Sequence, residues 1–541
     1  MRMKGNGYYL VRALPGIIIL LVLFLLPLSL NFSYAFKDDG KALIEIFTDS
    51  YTLHLLEFTL TQAVLSALIS VIIALPFAAF FSAYQFPLRR AVLTLSGLSF
   101  TIPTILVVLG FVIWYGNNGL LNTLLMRILG KDHTVISVLY SFKAIILAHV
   151  YLNFPIAFLL ITNAWSGMSD ETEKAAYTLG KGRTSTFFHI TLPRLLPSIV
   201  AAFILIFLYC FSSFSIILVL GGSPAYSTFE TEIYRRVHIN VDREGAAALS
   251  LFSFFITGIL LIITSRTRST KKAGRKARTL RKAHGKSLIA AILIMLLILL
   301  FIIPPMASII YRAFYTKAGD FTLRAWEDIA KSSTGFSSSA LSAIINSFMI
   351  ALLSALIAVA LGSKIALFSA KAGSRLLPIL SSLPMAAGSV TLGLGFSLLR
   401  VTINYDSLLF SYLVIILSHL IIILPFAVRT IIPGAEAIPS DLSAASYTLG
   451  VSKGRTLRKV ESPLLSSYRR KAFAFAFALS LGEVNATLTL SDGHVTTLPI
   501  LIYRMINSYN YQGAAALGTL LLAEALIVFI IGEGGKKHAV S

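Results

Sequence analysis

The chain has 541 residues, 56% hydrophobic and 13% charged, with one cysteine, Cys210. Soluble domains carry about 25% charged residues, so this composition excludes an ordinary soluble enzyme, a disordered chain and a disulfide scaffold. Forty-six Lys and Arg against 24 Asp and Glu give a formal charge of +22. Beside so many apolar runs, that excess fits the basic cytoplasmic loops of a membrane protein. No nucleic acid partner is expected.

Apolar runs of roughly 18 residues or more read as membrane-spanning helices. In chain order they fall at 14–35, 57–83, 91–114, 136–163, 197–220 and 246–264, then at 288–311, 341–369, 376–399, 408–432, 471–490 and 513–532. The expected class is therefore all-α, a polytopic membrane protein of about 12 transmembrane helices. The first run follows Arg2, Lys4 and Arg12 and ends in Ser33-Tyr34-Ala35, which resembles a signal cleavage site. It is read as a span, because 288–311 also follows a basic segment and cannot be a signal. With the N-terminus inside, about two thirds of the basic residues lie on the cytoplasmic side. That side holds the turn with Arg89 and Arg90, the loop 164–196, the linker 265–287, the turn with Lys371 and Arg375, the loop 433–470 and the tail. The opposite side holds Asp38, Asp39, Glu45, Asp49, Glu230, Glu232, Asp242, Glu244, Asp320, Glu327 and Asp328. Both termini are thus expected to be cytoplasmic, in a multi-pass membrane protein. The linker carries ten Lys and Arg and reads as a solvated tether that fixes topology. Anionic lipid headgroups are the alternative partner for it.

The two halves are a duplication. Ala175-Ala176-Tyr177-Thr178-Leu179-Gly180 returns 270 residues later as Ala445-Ser446-Tyr447-Thr448-Leu449-Gly450. Ile233-Tyr234-Arg235 returns as Ile502-Tyr503-Arg504, and Gly245-Ala246-Ala247-Ala248-Leu249 as Gly513-Ala514-Ala515-Ala516-Leu517. The expected organisation is a first repeat at 1–264, the basic linker at 265–287 and a second repeat at 288–541. Six spans per repeat make the copies parallel, and such pairs enclose a central pathway.

The repeated hexapeptides lie in the two long cytoplasmic loops. Each is followed by nine residues and then by Ile190-Thr191-Leu192-Pro193 or Val460-Glu461-Ser462-Pro463. The pattern predicts a short helix, a glycine break, a second short helix and a proline near the next span. Small residues allow close approach of another surface, and glycine adopts the positive φ that ends a helix.

These loops resemble the E-A-A…G…I-x-L-P loop of ATP-binding-cassette (ABC) importer permeases. Lys174 stands where that pattern has Glu, with Glu173 just before it; the second copy has Ala444 there and Ser462 in place of Leu. The likeness covers most of the chain and is greatest to the fused, double-length permeases of the thiamine and ferric-iron importers. It includes Asp49-Ser50-Tyr51, Leu147-Ala148-His149-Val150, Leu220-Gly221-Gly222 with Pro224, Ser480-Leu481-Gly482-Glu483 and Thr497-Leu498-Pro499. The resemblance implies the type I importer permease fold, with two parallel six-helix repeats. It also implies two copies of a cytoplasmic ATPase, an extracytoplasmic binding protein and a small-molecule substrate: thiamine or its phosphates, with ferric iron as the alternative. The coupling residues it implies are Glu173, Ala175, Ala176, Gly180, Ile190, Leu192, Pro193, Ala445, Gly450, Val460 and Pro463, with the acidic contact shifted or missing.

Ionisable groups at membrane depth are costly and usually functional. Glu483 and Asn485, in the eleventh span, are candidates for the pathway, as are His149 and His419, which are 270 residues apart. For each histidine a hydrogen bond to a neighbouring helix is the competing reading. A carboxylate and aromatic faces suit a flat cation, and Glu483 with Phe473, Phe475 and Phe477 is the expected source. Lys364 and Glu524 are read as snorkelling or packing groups. There is no G-x-x-x-x-G-K-S/T phosphate loop and no H-E-x-x-H pair, so no catalytic residue, metal ligand or cofactor is expected in this chain. An ion-coupled secondary transporter is the rival from another class, and the paired loops speak against it.

Overall fold

The computed structural model describes residues 3–98, 102–222, 225–266, 278–331, 339–374, 376–405, 407–491 and 493–533. Arg2, Pro224, Arg375, linker residues 267–277 and the tail from 534 lie outside them.

The chain is a bundle of apolar helices, the structure that satisfies every backbone donor and acceptor without water. Nine helices of the first half recur in order in the second. In the first half they are α1 (Met3–Ala35), α2 (Ser50–Ala83), α3 (Thr104–Tyr115), α4 (Phe142–Ser166), α5 (Glu171–Thr178), α6 (Leu192–Phe211), α7 (Ser215–Leu220), α8 (Phe229–His238) and α9 (Arg243–Arg266). In the second they are α10 (Lys286–Phe314), α11 (Ala340–Ala372), α12 (Ser389–Ile403), α13 (Leu408–Glu436), α14 (Ser440–Thr448), α15 (Ser466–Leu481), α16 (Asn485–Leu490), α17 (Leu498–Asn507) and α18 (Tyr511–Glu533).

Among the described residues, ten helices are long and apolar enough to cross a membrane. The bent pair Leu376–Ala387 and Ser389–Ile403, angled at 81°, raises the number to eleven. The count differs from twelve because the run 376–399 is the bent pair and the run 471–490 is broken at 482–484, between α15 and α16, leaving α15 only 16 residues long. The run 197–220 is also interrupted, at 212–214 between α6 and α7, but its first part remains long enough to cross. Arg469, Arg470 and Lys471 at the start of α15 also shorten its apolar stretch. The run 91–114 divides as well, into a helix at Arg89–Leu98 and α3.

The first helix of each half packs on the other half. α1 lies against α11 and α12, and α10 lies against α3 while also packing on α18 of its own half. Both crossings pass through a glycine. A Cβ on Gly110 of α3 would fall 2.6 Å from the Pro305 carbonyl oxygen of α10, and one on Gly395 of α12 would collide with Pro27 of α1. Asn31 of α1, fully buried, donates to the Thr391 carbonyl of α12 at 3.0 Å.

The described end of the linker is not a free tether. Its strand β2 (Arg281–Lys282) pairs in parallel with β1 (Tyr84–Gln85), just after α2. The Arg278 amide donates to the Ser166 carbonyl at the end of α4. The tether reading is corrected for this segment: backbone pairing holds it on the first half.

Candidate functional site: a central cavity and two exposed turns

The two helix breaks meet at the centre of the molecule. Ser215 Oγ, at the start of α7, donates to Asn485 Oδ1, at the start of α16, at 2.8 Å. These residues are 270 apart, so each is the other's counterpart. A residue meets its own counterpart only on the axis relating the two halves. Asn485 Nδ2 also donates to Ser389 Oγ at 3.1 Å.

Beside this contact lies a cavity of about 790 Å3 lined by both halves. Its wall runs from Ser213, Glu483 and Asn485 at the breaks to Leu160 near the end of α4 and Glu436 at the end of α13. It therefore extends toward the end of the bundle that carries the two long loops. The Tyr209, Phe214 and Phe426 rings line it, together with Arg429, whose Nε donates to Ser382 Oγ at 3.0 Å.

Glu483 lines the cavity. Its Oε1 accepts from the Ala486 amide at 2.9 Å, capping α16. A second carboxylate stands close by: Glu230, expected on an outer loop, is 1% exposed. It abuts the Val390 backbone and Gly388, where a Cβ would come within 2.5 Å of its Oε1, and it is within electrostatic reach of Glu483. Gly388 is the joint of the 81° bend. Sequence reading missed Glu230 because Glu232, Arg235 and Arg236 beside it mark an aqueous segment. A buried helix end is invisible to charge counting.

Of the other pathway candidates, His149 lines the cavity and His419 does not. His149 Nδ1 is 3.1 Å from Ser66 Oγ and its Nε2 2.8 Å from Ser213 Oγ. Both ring nitrogens of His419 are 2.8 Å from hydroxyls, of Ser480 and Thr487. The aromatic expectation is corrected. Phe473 borders a different cavity, Phe477 is 1% exposed and packs on Phe348, and Phe475 packs on Phe426. Phe473 and Phe477, four residues apart, share one face of α15, and Phe475 takes the opposite one, so the three cannot share one wall.

The two loops fold alike. Each short helix, α5 or α14, ends at a glycine in the left-handed region, Gly180 at φ +80° and Gly450 at φ +75°. Behind the glycines, the Gly180 amide donates to Tyr177 O and Lys181 to Ala176 O. Gly450 likewise donates to Tyr447 O and Val451 to Ser446 O. This double closure is the Schellman turn. It leaves Leu179 82% and Leu449 81% exposed at the loop tips. A leucine this exposed stands at the same place in both repeats, a feature that the sequence pattern alone left unmarked. A π-helical turn follows in each loop, Phe187–Thr191 and Leu457–Glu461. Ala175, Pro193, Ala445 and Pro463 are exposed, Ile190, Leu192 and Val460 half-buried, and Ala176 buried.

Glu173 does not face outward. It is 5% exposed, accepts from Thr191 Oγ1 at 2.8 Å and pairs with Arg278 of the linker at 2.9 Å. In the second loop the same contact is reversed. Ser443 stands at the Glu173 position and Glu461 at the Thr191 position, with 2.8 Å between them. Lys371 pairs with Glu461 at 2.8 Å, and the Tyr9 hydroxyl of α1 donates to it at 2.8 Å. Glu173 holds the first loop to the linker, Glu461 ties the second loop to α11 and to α1 of the other half, and burial removes both carboxylates from the loop surface.

Two like halves around a central cavity, with paired loops ending in exposed turns, make a multi-helix membrane protein whose likenesses are to ABC-importer permeases. Residues 74–304 match the family described as binding-protein-dependent transport system inner membrane component. Over 90% of its length the chain is 28% identical to the thiamine transport system permease protein of Brucella abortus (strain 2308), covering 88% of that protein. It is 27% identical to the thiamine transport system permease protein of Escherichia coli K12, over 92% of this chain and 91% of the relative. A ferric transport system permease protein from Actinobacillus pleuropneumoniae is 24% identical over 98% of this chain and 80% of its own length. The ion-coupled reading has no support among these likenesses.

Proposed function

We propose that this chain is the permease through which an ABC importer carries thiamine or its phosphates inward across the bacterial inner membrane. Both termini, the linker and the two turns lie on the cytoplasmic side. A binding protein delivers substrate outside. Two ATPase copies dock on the paired turns and hydrolyse ATP, while this chain forms the pathway. Glu173 and Glu461 position the loops; Ala175, Ala176, Gly180, Ile190, Leu192, Pro193, Ala445, Gly450, Val460 and Pro463 shape them. Leu179 and Leu449 provide the apolar contact.

The observation that carries the substrate is the likeness, over nine tenths of the chain, to permeases named for thiamine transport. The cavity chemistry agrees with it. Glu483 in the lining favours a cation, with Glu230 a second buried carboxylate outside it, the Tyr209 and Phe426 rings offer flat faces, and Arg429 suits a phosphate tail. Two buried carboxylates also fit a hard cation better than one does, so carboxylate number does not separate thiamine from ferric iron; the relatives do. The test is uptake of labelled thiamine by an auxotroph carrying this chain with its binding protein and ATPase. Thiamine accumulation is expected, and iron accumulation without thiamine would replace the substrate. Orientation is read separately. A cysteine replacing Lys272 should react with an impermeant thiol reagent from the cytoplasmic side only, against a background in which Cys210 is buried.

A further inference from the structure

A second cavity, of about 620 Å3, opens at the loop-bearing end, among α1, α11, α15, α18 and the second loop. Five of its lining residues are cationic: Arg12, Lys364, Arg458, Arg469 and Arg470. None is acidic. None of the five pairs with a carboxylate among the described residues. Glu461, behind Tyr9, is already engaged by Lys371. Arg469 is held in place, its Nη1 donating to Ser462 Oγ at 2.7 Å and its Nε to Ser363 Oγ at 3.2 Å. The remaining wall is apolar and belongs to membrane-crossing helices, with Leu356 of α11 and Ile531 of α18 exposed on their outer sides.

We propose that this cavity seats the phosphodiester headgroup of an anionic phospholipid, with the acyl chains running along α11 and α18. Three observations carry the assignment. Like charges gathered in one cleft repel each other unless an anion joins them. Lys364 lies seven residues inside Lys371 on α11, so an ammonium is held within the apolar part of the wall, at the depth of a lipid phosphate rather than out in solution. The cluster is also peculiar to one repeat. The positions 270 residues before Arg458, Arg469 and Arg470 are Phe188, Ile199 and Val200, and the corresponding depth of α2 reads Ala74-Leu75-Pro76. A general preference for basic residues on the cytoplasmic side would have charged both copies. Basic pockets between membrane helices at this interface suit anionic lipid headgroups.

The test uses the full chain in neutral detergent, titrated with dioctanoyl phosphatidylglycerol, dioctanoyl phosphatidylcholine, glycerol phosphate and inorganic phosphate, with bound lipid read by native mass spectrometry and by thermal unfolding. Phosphatidylglycerol is expected to bind at least tenfold more tightly than phosphatidylcholine. Lys364→Gln with Arg470→Gln should bring the two within twofold, whereas Lys271→Gln with Lys272→Gln in the linker should leave the preference intact. Equal affinity of the unaltered chain for the two lipids overturns the proposal, even if the variants fail to fold. Binding of free phosphate as tight as that of the lipid also overturns it, in favour of a soluble anion. So does a double variant that loses its ATPase but keeps its lipid preference, which would make the cluster a protein-docking surface.

Discussion

The buried carboxylates of the two loops show how little a residue's identity says without its partner. Glu173 faces Thr191, and Ser443 faces Glu461; acid and hydroxyl have changed places between the copies. Lys371 Nζ reaches both sides of the second pair, 2.8 Å from Glu461 Oε1 and 3.2 Å from Ser443 Oγ. Glu461→Ala leaves the partly buried Lys371 without its ion pair and should cost about 2–3 kcal/mol, below the range for a fully buried pair, read as a fall in the thermal midpoint of the purified chain. Glu461→Thr combined with Ser443→Glu restores the first-loop arrangement and should recover most of that stability. An exchange variant as unstable as Glu461→Ala would mean that Lys371 does not serve both positions. In the central cavity, Glu483→Gln keeps the size and the cap on Ala486 but removes the charge. Thiamine uptake is expected to fall roughly tenfold, in line with the about 1.5–3 kcal/mol typical of a hydrogen bond to a charged group, at unchanged membrane expression. Unchanged uptake would leave Glu483 as a cap alone.

At the scale of the element, the sequence made the geometry of the two long loops legible in outline. Small residues, a glycine and a following proline at fixed spacing describe a helix stop whichever family it serves, and both glycines have positive φ. The breaks after Phe211 and Leu481 were not legible. Ser212 and Ser213, and Glu483 with Asn485, put polar groups at the breaks, but Ile216-Ile217-Leu218 and Leu488-Thr489-Leu490 resume the apolar run, so each stretch reads as one span. Arg278 was equally hidden, being 105 residues from Glu173 and inside a run of ten basic residues whose charge explains itself without a partner. The turn geometry gives a graded prediction. Space for a side chain is open at both glycines, so the penalty is conformational, about 1–2 kcal/mol for a left-handed L-residue. Gly180→Val or Gly450→Val should lower ATPase co-purification, and Gly→Asn, tolerated at such turns, should restore it. Leu179→Asp and Leu449→Asp burden no folded contact, so they should abolish co-purification without changing thermal stability. Retained ATPase in both aspartate variants would remove these turns from the docking surface.

In the whole molecule, the two halves are held by exchange rather than by the linker alone. α1 reaches across to α11 and α12, and α10 to α3. Cutting the chain between Lys272 and Ala273 leaves Arg278 and β2 with the second half, still able to meet Glu173 and β1. Co-expressed fragments 1–272 and 273–541 are therefore expected to co-purify as one complex, and either alone to be degraded. Two fragments that insert but stay apart would show that the covalent linker, and not the crossing helices, brings the halves together.

The contact between Ser215 and Asn485 has a consequence for ancestry. In a symmetric dimer of a single-repeat protein, a residue on the axis faces its own copy, so every change there is made twice. A glutamate at position 483 would bring a twin to position 213, and two unpaired carboxylates across one narrow gap repel. Joining the copies into one chain lifted that constraint. Serine now faces asparagine, and Glu483 has a hydroxyl, Ser213, as its counterpart. Fusion allowed the centre of the pathway to become chemically one-sided, an arrangement that no pair of identical subunits can reach.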